Sequence, residues 1–431
     1  MENCILPKDL LIDILVRLSV KTLMRFKCVC RFLYDLIKKD HFFIDKHYEF
    51  SRAKNNCALL EFNASYFPIN DVLYYVLYKE SESQARCIYL DMPVPIRYAK
   101  TCHGVLCLIV GKNYSSLDGI SSSYGMIFYV YTLNPSTREM KALPSINVPT
   151  KPPSESHLCI EFGFGLSKNK AWKIIMLLSF EDIGSQSEDR HQIVMVCSQV
   201  EDSWKWRQID AVPDGLEHIP YLNYTRDCYL NGKYYWLCSD DYLIWFDMDD
   251  EIFGKIKIPP RLNTHFITVM NDTIAVISIL LMFRKGENFI NIWLMDENDN
   301  NINWQKHSSI HFDCSITNFW AAVGVWNLGG QLLVFSSEME LQGDVPSFKN
   351  GCGPDLISID LVTQEKKIIC TSEVKKSALV IGLNRGGNAQ ILSERNIYKD
   401  EEWNDRNIAW DCFGSGLNPY ARDFHESLKF L

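Results

Sequence analysis

The sequence lacks the features that mark export or insertion into a membrane. In the opening stretch, MENCILPKDLLIDIL, Lys8 and Asp9 interrupt the apolar residues, so there is no continuous signal-peptide core. The longest apolar run, IAVISILLMF at 274–283, is about half of the ~20 residues that a membrane-spanning helix needs. We therefore expect a protein that resides in the cytoplasm, with the nucleus as a second location, and that does not bind a membrane.

Catalytic signatures are also missing. The chain contains no Gly-x-Ser-x-Gly elbow, no HExxH and no kinase-like set of motifs. The glycine-rich GLNRGG at 382–387 has neither the lysine nor the strand-to-helix context of a phosphate-binding loop. The sequence gives no catalytic constellation, and we expect no cofactor.

The fifteen cysteines include no C-x2-C pair, the spacing typical of zinc sites. The nearest candidates are Cys28-x-Cys30 and Cys102-x4-Cys107. His307 and His311 would share a helix face, but the surrounding NWQKHSSIHF favours an extended strand. We expect no metal, and an odd cysteine count without an export signal indicates free thiols in a reducing compartment.

Charge and composition narrow the class of protein further. The 47% hydrophobic and 13% aromatic content is typical of a folded globular chain. The formal net charge is −9; residues 1–50 carry +2, which leaves −11 on 51–431. An acidic body of this kind excludes nonspecific nucleic-acid binding, because that binding needs a basic surface.

The first fifty residues have the apolar spacing of helices. Pro7 suits a helix start. The spacing predicts three short helices, the third of which includes Cys28 and Cys30. Apolar residues recur at 3.6-residue spacing in the first helix and again in the third: Leu10, Leu11, Ile14, Leu15, Leu18, and Phe26, Val29, Cys30, Leu33, Leu36, Ile37.

This helical unit is too small to bury much surface by itself. Its apolar side chains outnumber those that its own interior can hold. Two interpretations stay open: the helices pack on the following domain, or one face is left for a partner protein.

After about residue 55, the chain consists of short extended runs separated by turn signals. A unit of a tight turn and a buried strand recurs in CHGVLCLI, LNGKYYWL and LGGQLLVF, at 102–109, 230–237 and 328–335. Closed radial repetition protects strand edges in a long β-rich chain. We expect a six- or seven-bladed β-propeller, with two packed sandwiches as the alternative.

Three kinds of segment have a functional and a structural interpretation. Asn134-Pro135-Ser136-Thr137 is a strong turn sequence, and we expect a hairpin turn there and no phosphorylation site. DMDDE at 247–251 lacks further calcium ligands and indicates a solvated loop. Seven tryptophans lie in strand-like runs and are expected in the core: Trp172, Trp204, Trp206, Trp236, Trp245, Trp293 and Trp304.

Residues 6–37, LPKDLLIDILVRLSVKTLMRFKCVCRFLYDLI, resemble the F-box, a helical module that binds a Skp-type adaptor. The opening Leu-Pro, the ILxRL run, the VK-x-L-x-RFKCVC core and the closing LI are all present. Two residues depart from the family pattern. Ser19 stands where proline is usual and loosens a turn, and Leu33 stands where tryptophan is frequent.

The β region resembles the plant F-box-associated interaction domain. Its phrases extend over roughly residues 100–310: LNPSTREMKALP, FGFG…KAWKIIML, DSWKWRQI, YLNGKYYWL, LIWFDMDDEIFGKIKIPP and INIWLMDENDNNINW. Within that family, RFKCVC and the closing HESLKFL resemble the pollen S-locus F-box subgroup of self-incompatible plants. The resemblance implies an F-box at 1–50, a kelch-like propeller domain at 55–393 that binds substrate, and a tail at 394–431.

What the resemblance implies about function is a substrate receptor. The F-box would bind the adaptor and, through it, a cullin, and the β domain would hold a target protein for ubiquitylation and degradation. In the S-locus subgroup, the targets would be non-self style ribonucleases. The alternatives are a propeller enzyme with a helical docking unit, and an F-box scaffold outside a ligase.

The resemblance also indicates which residues face the adaptor, by recognition of a helix in a groove with apolar anchors. The other interpretation is that part of this set packs only inside the helical unit. The set is Leu6, Pro7, Ile14, Leu15, Leu18, Val20, Leu23, Val29 and Cys30.

Substrate contacts are expected on loops at one end of the β domain, without assignment to particular residues. The charge of −11 suggests acidic loops that steer a basic target. Candidate segments are EDIGSQSEDRH at 181–191 and DMDDE at 247–251.

Overall fold

The fold is described from a computed structural model of the chain. The model describes residues 6–423 except for the following gaps: 55–56, 63–72, 79–84, 92–95, 119–120, 135, 138, 151–155, 183–190, 201–202, 212–226, 239–241, 260–264, 282–287, 299–300, 313–317, 327–329, 343–344, 349–354, 371–376, 384–388 and 397–418.

The N-terminal part is the helical module, residues 6–54. It consists of α1 (Lys8–Leu15), α2 (Val20–Phe26), α3 (Arg31–Lys39) and α4 (His41–Lys54). The prediction of a small helical unit is confirmed, and α4 is a helix that the prediction of three did not include. No helix in the described part is long and apolar enough to cross a membrane.

Caps set the boundaries of these helices. Ser19 begins α2, and its side chain accepts a hydrogen bond from the Thr22 backbone N–H at 3.3 Å. The serine that departs from the family pattern is therefore a helix cap. Asp40 begins α4 in the same way, because its carboxylate accepts the Phe43 N–H at 3.1 Å.

The helical placement of Cys28 and Cys30 was wrong. The chain turns after α2, and α3 begins only at Arg31. Cys30 is the N-cap of α3, with φ −156° and ψ 162°. Both thiols are exposed, so the apolar stripe of α3 consists of Leu33, Leu36 and Ile37 without them. An apolar pattern alone did not reveal the break, because cysteine is compatible with either location.

The remaining described residues form six sheets, of which five are antiparallel and consist of strands that are consecutive in the chain. Blades 1 to 5 each run from an inner to an outer strand. Blade 1 is β4 (Ile96–Cys102), β5 (Val105–Asp118), β6 (Ser121–Asn134) and β7 (Glu139–Thr150). Blade 2 is β8 (Ser156–Leu166), β9 (Trp172–Asp182), β10 (His191–Val200) and β11 (Ser203–Ile209). Blade 3 is β12 (Asp227–Leu230), β13 (Lys233–Leu237), β14 (Tyr242–Asp247) and β15 (Phe253–Lys257).

Two more blades follow the same plan. Blade 4 is β16 (His265–Met270), β17 (Thr273–Leu281), β18 (Asn288–Asn298) and β19 (Asn301–Phe312). Blade 5 is β20 (Asn318–Trp326), β21 (Gln331–Gln342), β23 (Asp355–Asp360) and β24 (Lys366–Cys370), with β22 (Val345–Phe348) paired to β21.

Blade 6 combines strands from both ends of the chain. It joins β1 (Cys57–Phe62), β2 (Leu73–Tyr78) and β3 (Ala85–Asp91) to β25 (Ser377–Leu383), β26 (Ala389–Asn396) and β27 (Pro419–Asp423). β27 pairs with β1, and β25 runs parallel to β3. The segment 394–431 thus contributes a strand, while the predicted domain boundaries stay predictions.

The first strands of successive blades are neighbours around the ring: β4 contacts β8, and the contacts continue through β12, β16 and β20 to β27. Core clusters lie between blades, because Ile277 and Ile292 of blade 4 pack with Leu332 of blade 5. The predicted propeller architecture is confirmed, with six sheets in the described residues.

The repeating units found in the sequence correspond to hairpins. Asn231 and Gly232, with φ 47° and 83°, turn β12 into β13. Asn271 and Asp272, with φ 51° and 58°, make the corresponding turn in blade 4 without glycine, since Asn and Asp tolerate this conformation.

The third-to-fourth strand turns also repeat. The side chain of Asn134 accepts the backbone N–H groups of Ser136 and Thr137 at 2.9 and 3.2 Å. Asp247 and Asp360 do the same in blades 3 and 5. The predicted turn interpretation of the LNPST phrase is confirmed.

The predicted core position of the seven tryptophans is also confirmed. Trp172, Trp204 and Trp236 are buried, and the others pack against the buried clusters. Trp206 and Trp304 each donate their indole N–H to a carbonyl of the preceding blade, Pro144 at 2.8 Å and Lys257 at 2.7 Å. These side chains hold neighbouring blades together.

Candidate protein-interaction site

The interior of the helical module is a single apolar cluster. Leu15 is 2% exposed, and Val20 and Leu23 are 0% exposed. They pack with Leu36, Ile37 and Phe43 from the later helices. Burial of this cluster is what makes four short helices one folded unit.

The same module leaves large apolar side chains in contact with solvent. Val29, in the turn between α2 and α3, is 70% exposed, and Phe42 is 66% exposed. We use the name apolar face for the exposed large apolar side chains of this module, which lie on its helices and at its turns: Leu6, Leu10, Ile14, Phe26, Val29, Phe32, Tyr34 and Phe42. Eight of the twelve exposed large apolar side chains in the described residues belong to this module, and such a concentration is typical of a unit that contacts another protein.

Ion pairs fix the first helix beside the last. Lys8 contacts Asp40 at 3.1 Å, and Lys46 contacts Asp13 at 2.6 Å. The Lys46 ammonium lowers the pKa of Asp13 by hydrogen bonding and by charge. The Phe43 N–H has the larger effect on Asp40 and lowers the pKa of that carboxyl, with Lys8 assisting.

Some of the residues predicted to face an adaptor are exposed, and others are buried inside the module. Leu6, Pro7, Ile14, Val29 and Cys30 are exposed, and Leu18 is half-buried. The other three, Leu15, Val20 and Leu23, lie in the interior cluster. Contact of the nine with an adaptor stays a prediction.

Several members of the apolar face were not among the predicted contacts. Leu10 and Phe26 had been counted in the apolar helix patterns, whereas Phe32, Tyr34 and Phe42 carried no pattern that singled them out. A signal was available for Phe32: it lies four residues before Leu36, so it continues the helical stripe at its edge.

The helical module is packed on one end of the propeller, which we name the helical end. The Tyr48 ring of α4 stacks on the His103 ring in the β4–β5 turn, with centroids 4.6 Å apart. His103 meets Tyr229 of β12 edge to face at 5.8 Å. Burial raises the pKa of Tyr48, so its hydroxyl stays neutral.

Charged pairs extend this contact around the ring. Lys170 in the β8–β9 turn pairs with Asp45 of α4, and Arg52 of α4 pairs with Asp272 in the β16–β17 turn. The carboxylate of Glu139 receives Lys38 at 2.8 Å on both oxygens and Lys27 at 3.8 Å. Both open interpretations of the helical unit therefore apply: it packs on the β domain, and it leaves an apolar face uncovered.

A second charged cluster lies on the inner strands of three blades. Lys100 of β4 forms a buried ion pair with Asp227 of β12. Glu161 of β8, partly buried between them, has its pKa raised to about 7 by burial; Asp227 adds to the rise and Lys100 opposes it. Among the described residues, no three His, Cys, Asp or Glu side chains are grouped to hold a metal ion.

Of the two acidic segments considered for substrate steering, only DMDDE at 247–251 lies wholly within the described residues. Segment 181–191 connects β9 to β10 and falls largely outside the described residues. DMDDE turns β14 into β15 at the helical end. Burial raises the pKa of Glu251, but hydrogen bonds from Arg207 and Lys173 hold it below its usual value.

Comparison with known proteins assigns both parts of the chain. Residues 4–45 match the F-box domain, and residues 125–339 match the F-box associated beta propeller domain. The F-box/kelch-repeat protein At3g23880 of Arabidopsis thaliana is 25% identical over 332 residues, which cover 71% of this chain and 79% of the relative. F-box protein At5g49610 of the same plant is 25% identical over 326 residues, 73% of this chain and 81% of the relative.

Among solved structures, TolB from Acinetobacter baumannii is similar at a TM-score of 0.34 and 10% identity, covering 72% of this chain and 62% of that chain. That similarity is too low to support an assignment. The sequence matches establish that this chain carries an F-box followed by a propeller-type F-box-associated domain and is homologous to Arabidopsis F-box proteins.

Proposed function

We propose that this F-box protein is the substrate-recognition subunit of a Skp–cullin–F-box ubiquitin ligase. The observation that carries the proposal is the apolar face on a module that is itself fixed to the propeller. The face gives the chain a surface for the adaptor, and the propeller provides a separate surface for a target.

The adaptor interface follows the pattern of apolar anchors around a well-packed unit. Interfaces of this kind concentrate their affinity in a few large side chains. We assign that role to the apolar face, together with the exposed Pro7 and Cys30. Leu15, Val20 and Leu23 support it from within, because their burial holds α1 and α2 in place.

We propose a non-catalytic role for the chain. Ubiquitin transfer would then depend on proximity, since the receptor raises the effective concentration of target lysines near the conjugating enzyme. One observation favours the alternative of a propeller enzyme: Lys100, Glu161 and Asp227 converge on the inner strands. Lys100 and Asp227 neutralise each other, however, which leaves a single carboxyl as a proton carrier.

For the target we propose a protein, and non-self style ribonucleases as the class to test first. The RFKCVC phrase supports the S-locus placement, and the charge of −11 beyond residue 50 suits a basic target. The described cysteines are free thiols, in agreement with action in the reducing cytoplasm or nucleus.

Affinity capture from plant tissue under proteasome inhibition tests the proposal. The intact chain is expected to recover an adaptor, a cullin and a third, enriched protein. The variant Ile14→Asp, which places a charge on the apolar face, is expected to lose adaptor and cullin together while retaining the third protein. Recovery of the third protein without any cullin by the intact chain would favour the scaffold alternative.

A further inference from the structure

We propose that Glu139 is a positioning residue, which clamps the helical module to blade 1 and so fixes the direction in which the propeller presents a bound target. The inference rests on the proposed function and deepens it. It assigns a role to the LNPSTRE phrase beyond that of a turn.

One carboxylate joins two helical elements to the propeller. Lys38 comes from α3, and Lys27 is the C-cap of α2. Their side chains are 28% and 20% exposed, and that of Glu139 is 37% exposed. A cluster of this burial is screened by salt less than a pair on the open surface. Two bonds at 2.8 Å from one ammonium also make the geometry specific.

The turn itself does not require this carboxylate. The Asn134 turn places Glu139 five residues later, at the start of β7. The corresponding positions after Asp247 and Asp360 are Ile252 and Glu365, which are both exposed. Glu365 is thus an acid at the same place in a repeated turn, and it forms no ion pair with the described helices, so it provides a matched control.

Glu139 is not the only contact between the helical module and the propeller, because residues of three blades also bind the module. Tyr48 meets His103, Asp45 meets Lys170, and Arg52 meets Asp272. Only two residues separate the end of α4 from the start of β1. These three contacts all come from α4, whereas Glu139 holds α2 and α3, and domains joined by small polar interfaces move unless such contacts hold them.

A fixed orientation matters to a receptor that acts by proximity. The rate of transfer depends on how often a target lysine lies near the charged enzyme, and a loosened joint spreads the target over a larger volume. Loss of the clamp should therefore slow transfer and change its site preference, while affinity for the adaptor stays constant.

The test compares Glu139→Lys with Glu365→Lys in the full chain bound to a purified Skp-type adaptor. Small-angle X-ray scattering is expected to show a larger radius of gyration for E139K than for the unmodified chain. E365K is expected to have the same radius of gyration as the unmodified chain. In a reconstituted ligase, self-ubiquitylation of the β domain is expected to slow by about three- to tenfold and to spread to additional lysines. Adaptor affinity should stay within twofold in both variants.

Lys38→Gln is a second test, in case E139K fails to fold, because it breaks the same contact from the helical side. It should change the scattering and the set of ubiquitylated lysines in the same direction as E139K. The reversed pair K38E with E139K should restore both in part. Scattering and lysine patterns equal to those of E365K in all these variants would overturn the inference. Failure of the intact chain to bind an adaptor would instead overturn the proposed function, and scattering of the free chain would still decide on the clamp.

Discussion

Tyr48 stacks on His103 with 20° between the ring planes, and this contact joins the last helix of the F-box to the first hairpin of the propeller. Tyr48 is buried in this contact. The two residues belong to different domains, so the contact makes the stability of one domain depend on the other.

Tyr48→Ala is expected to lower the free energy of unfolding by about 3 kcal/mol, because it leaves a cavity between the domains. Chemical denaturation followed by fluorescence measures this change. Tyr34→Ala on the exposed face of α3 serves as the control and should stay within about 0.5 kcal/mol of the unmodified chain. Equal effects of the two substitutions would show that the stacked contact contributes nothing.

Cys30→Asp is expected to stabilise the F-box by about 0.5–1 kcal/mol. Cys30 has the extended conformation of an N-cap, and aspartate is among the best residues there, whereas no cap hydrogen bond is made by cysteine. This reverses the expectation from a continuous helix, in which a buried charge would disrupt folding. Thermal unfolding measures it, and a fall in the midpoint of unfolding would contradict the cap assignment.

Glu161→Gln is expected to stabilise the propeller at pH 8 and to have little effect near pH 4. The pKa of Glu161 is raised to about 7 in the fold, so the stabilising neutral form is fully present below the usual pKa of 4.5. That contribution is lost as the pH rises to about 7, by on the order of 1–2 kcal/mol. The difference in unfolding free energy between variant and parent, measured from pH 4 to 8, should follow this course.

The exposed Glu297→Gln provides the matched control for Glu161. Its substitution should leave the pH dependence of unfolding unchanged. A flat difference for Glu161→Gln as well would mean that the fold does not raise the pKa of the inner-strand carboxyl.

Asp227→Asn is expected to cost about 3–5 kcal/mol, because it leaves the buried Lys100 ammonium without its partner. Replacement of both residues, Lys100→Met with Asp227→Leu, should cost less than the single change, since no charge then stays buried. Denaturant unfolding of the variants measures both. Additive effects of the two single changes would exclude a direct pair.

Local patterns gave the helices, the hairpin turns and the propeller plan, since each is dictated by residues close in sequence. Local patterns did not predict that Ile14 is exposed and Leu15 is buried. The two residues are adjacent in the apolar pattern of α1, yet they are 45% and 2% exposed, because α3 and α4 pack on only one side of α1. The turn at Asn271 and Asp272 uses no glycine, so it lacks the clearest local signal of the repeated unit.

Contacts between distant parts of the chain were beyond any such pattern. Lys38 and Glu139 are 101 residues apart, and Lys100 and Asp227 are 127 apart. Each of these charges is ordinary in its local sequence. The packing of the helices on blade 1 and the arrangement of the blades bring these charges together, so the joint and the inner-strand cluster became visible only with the fold.

The affinity of a purified Skp-type adaptor for Val29→Asp tests the central proposal most directly. Calorimetric titration should show binding about tenfold or more weaker than for the unmodified chain, because a charge replaces an apolar contact that is 70% exposed before binding. Val362→Asp, at a position 88% exposed on the propeller, should bind normally, and neither change should alter thermal unfolding. Unchanged affinity for Val29→Asp, or equal losses in both variants, would contradict an adaptor site on the apolar face.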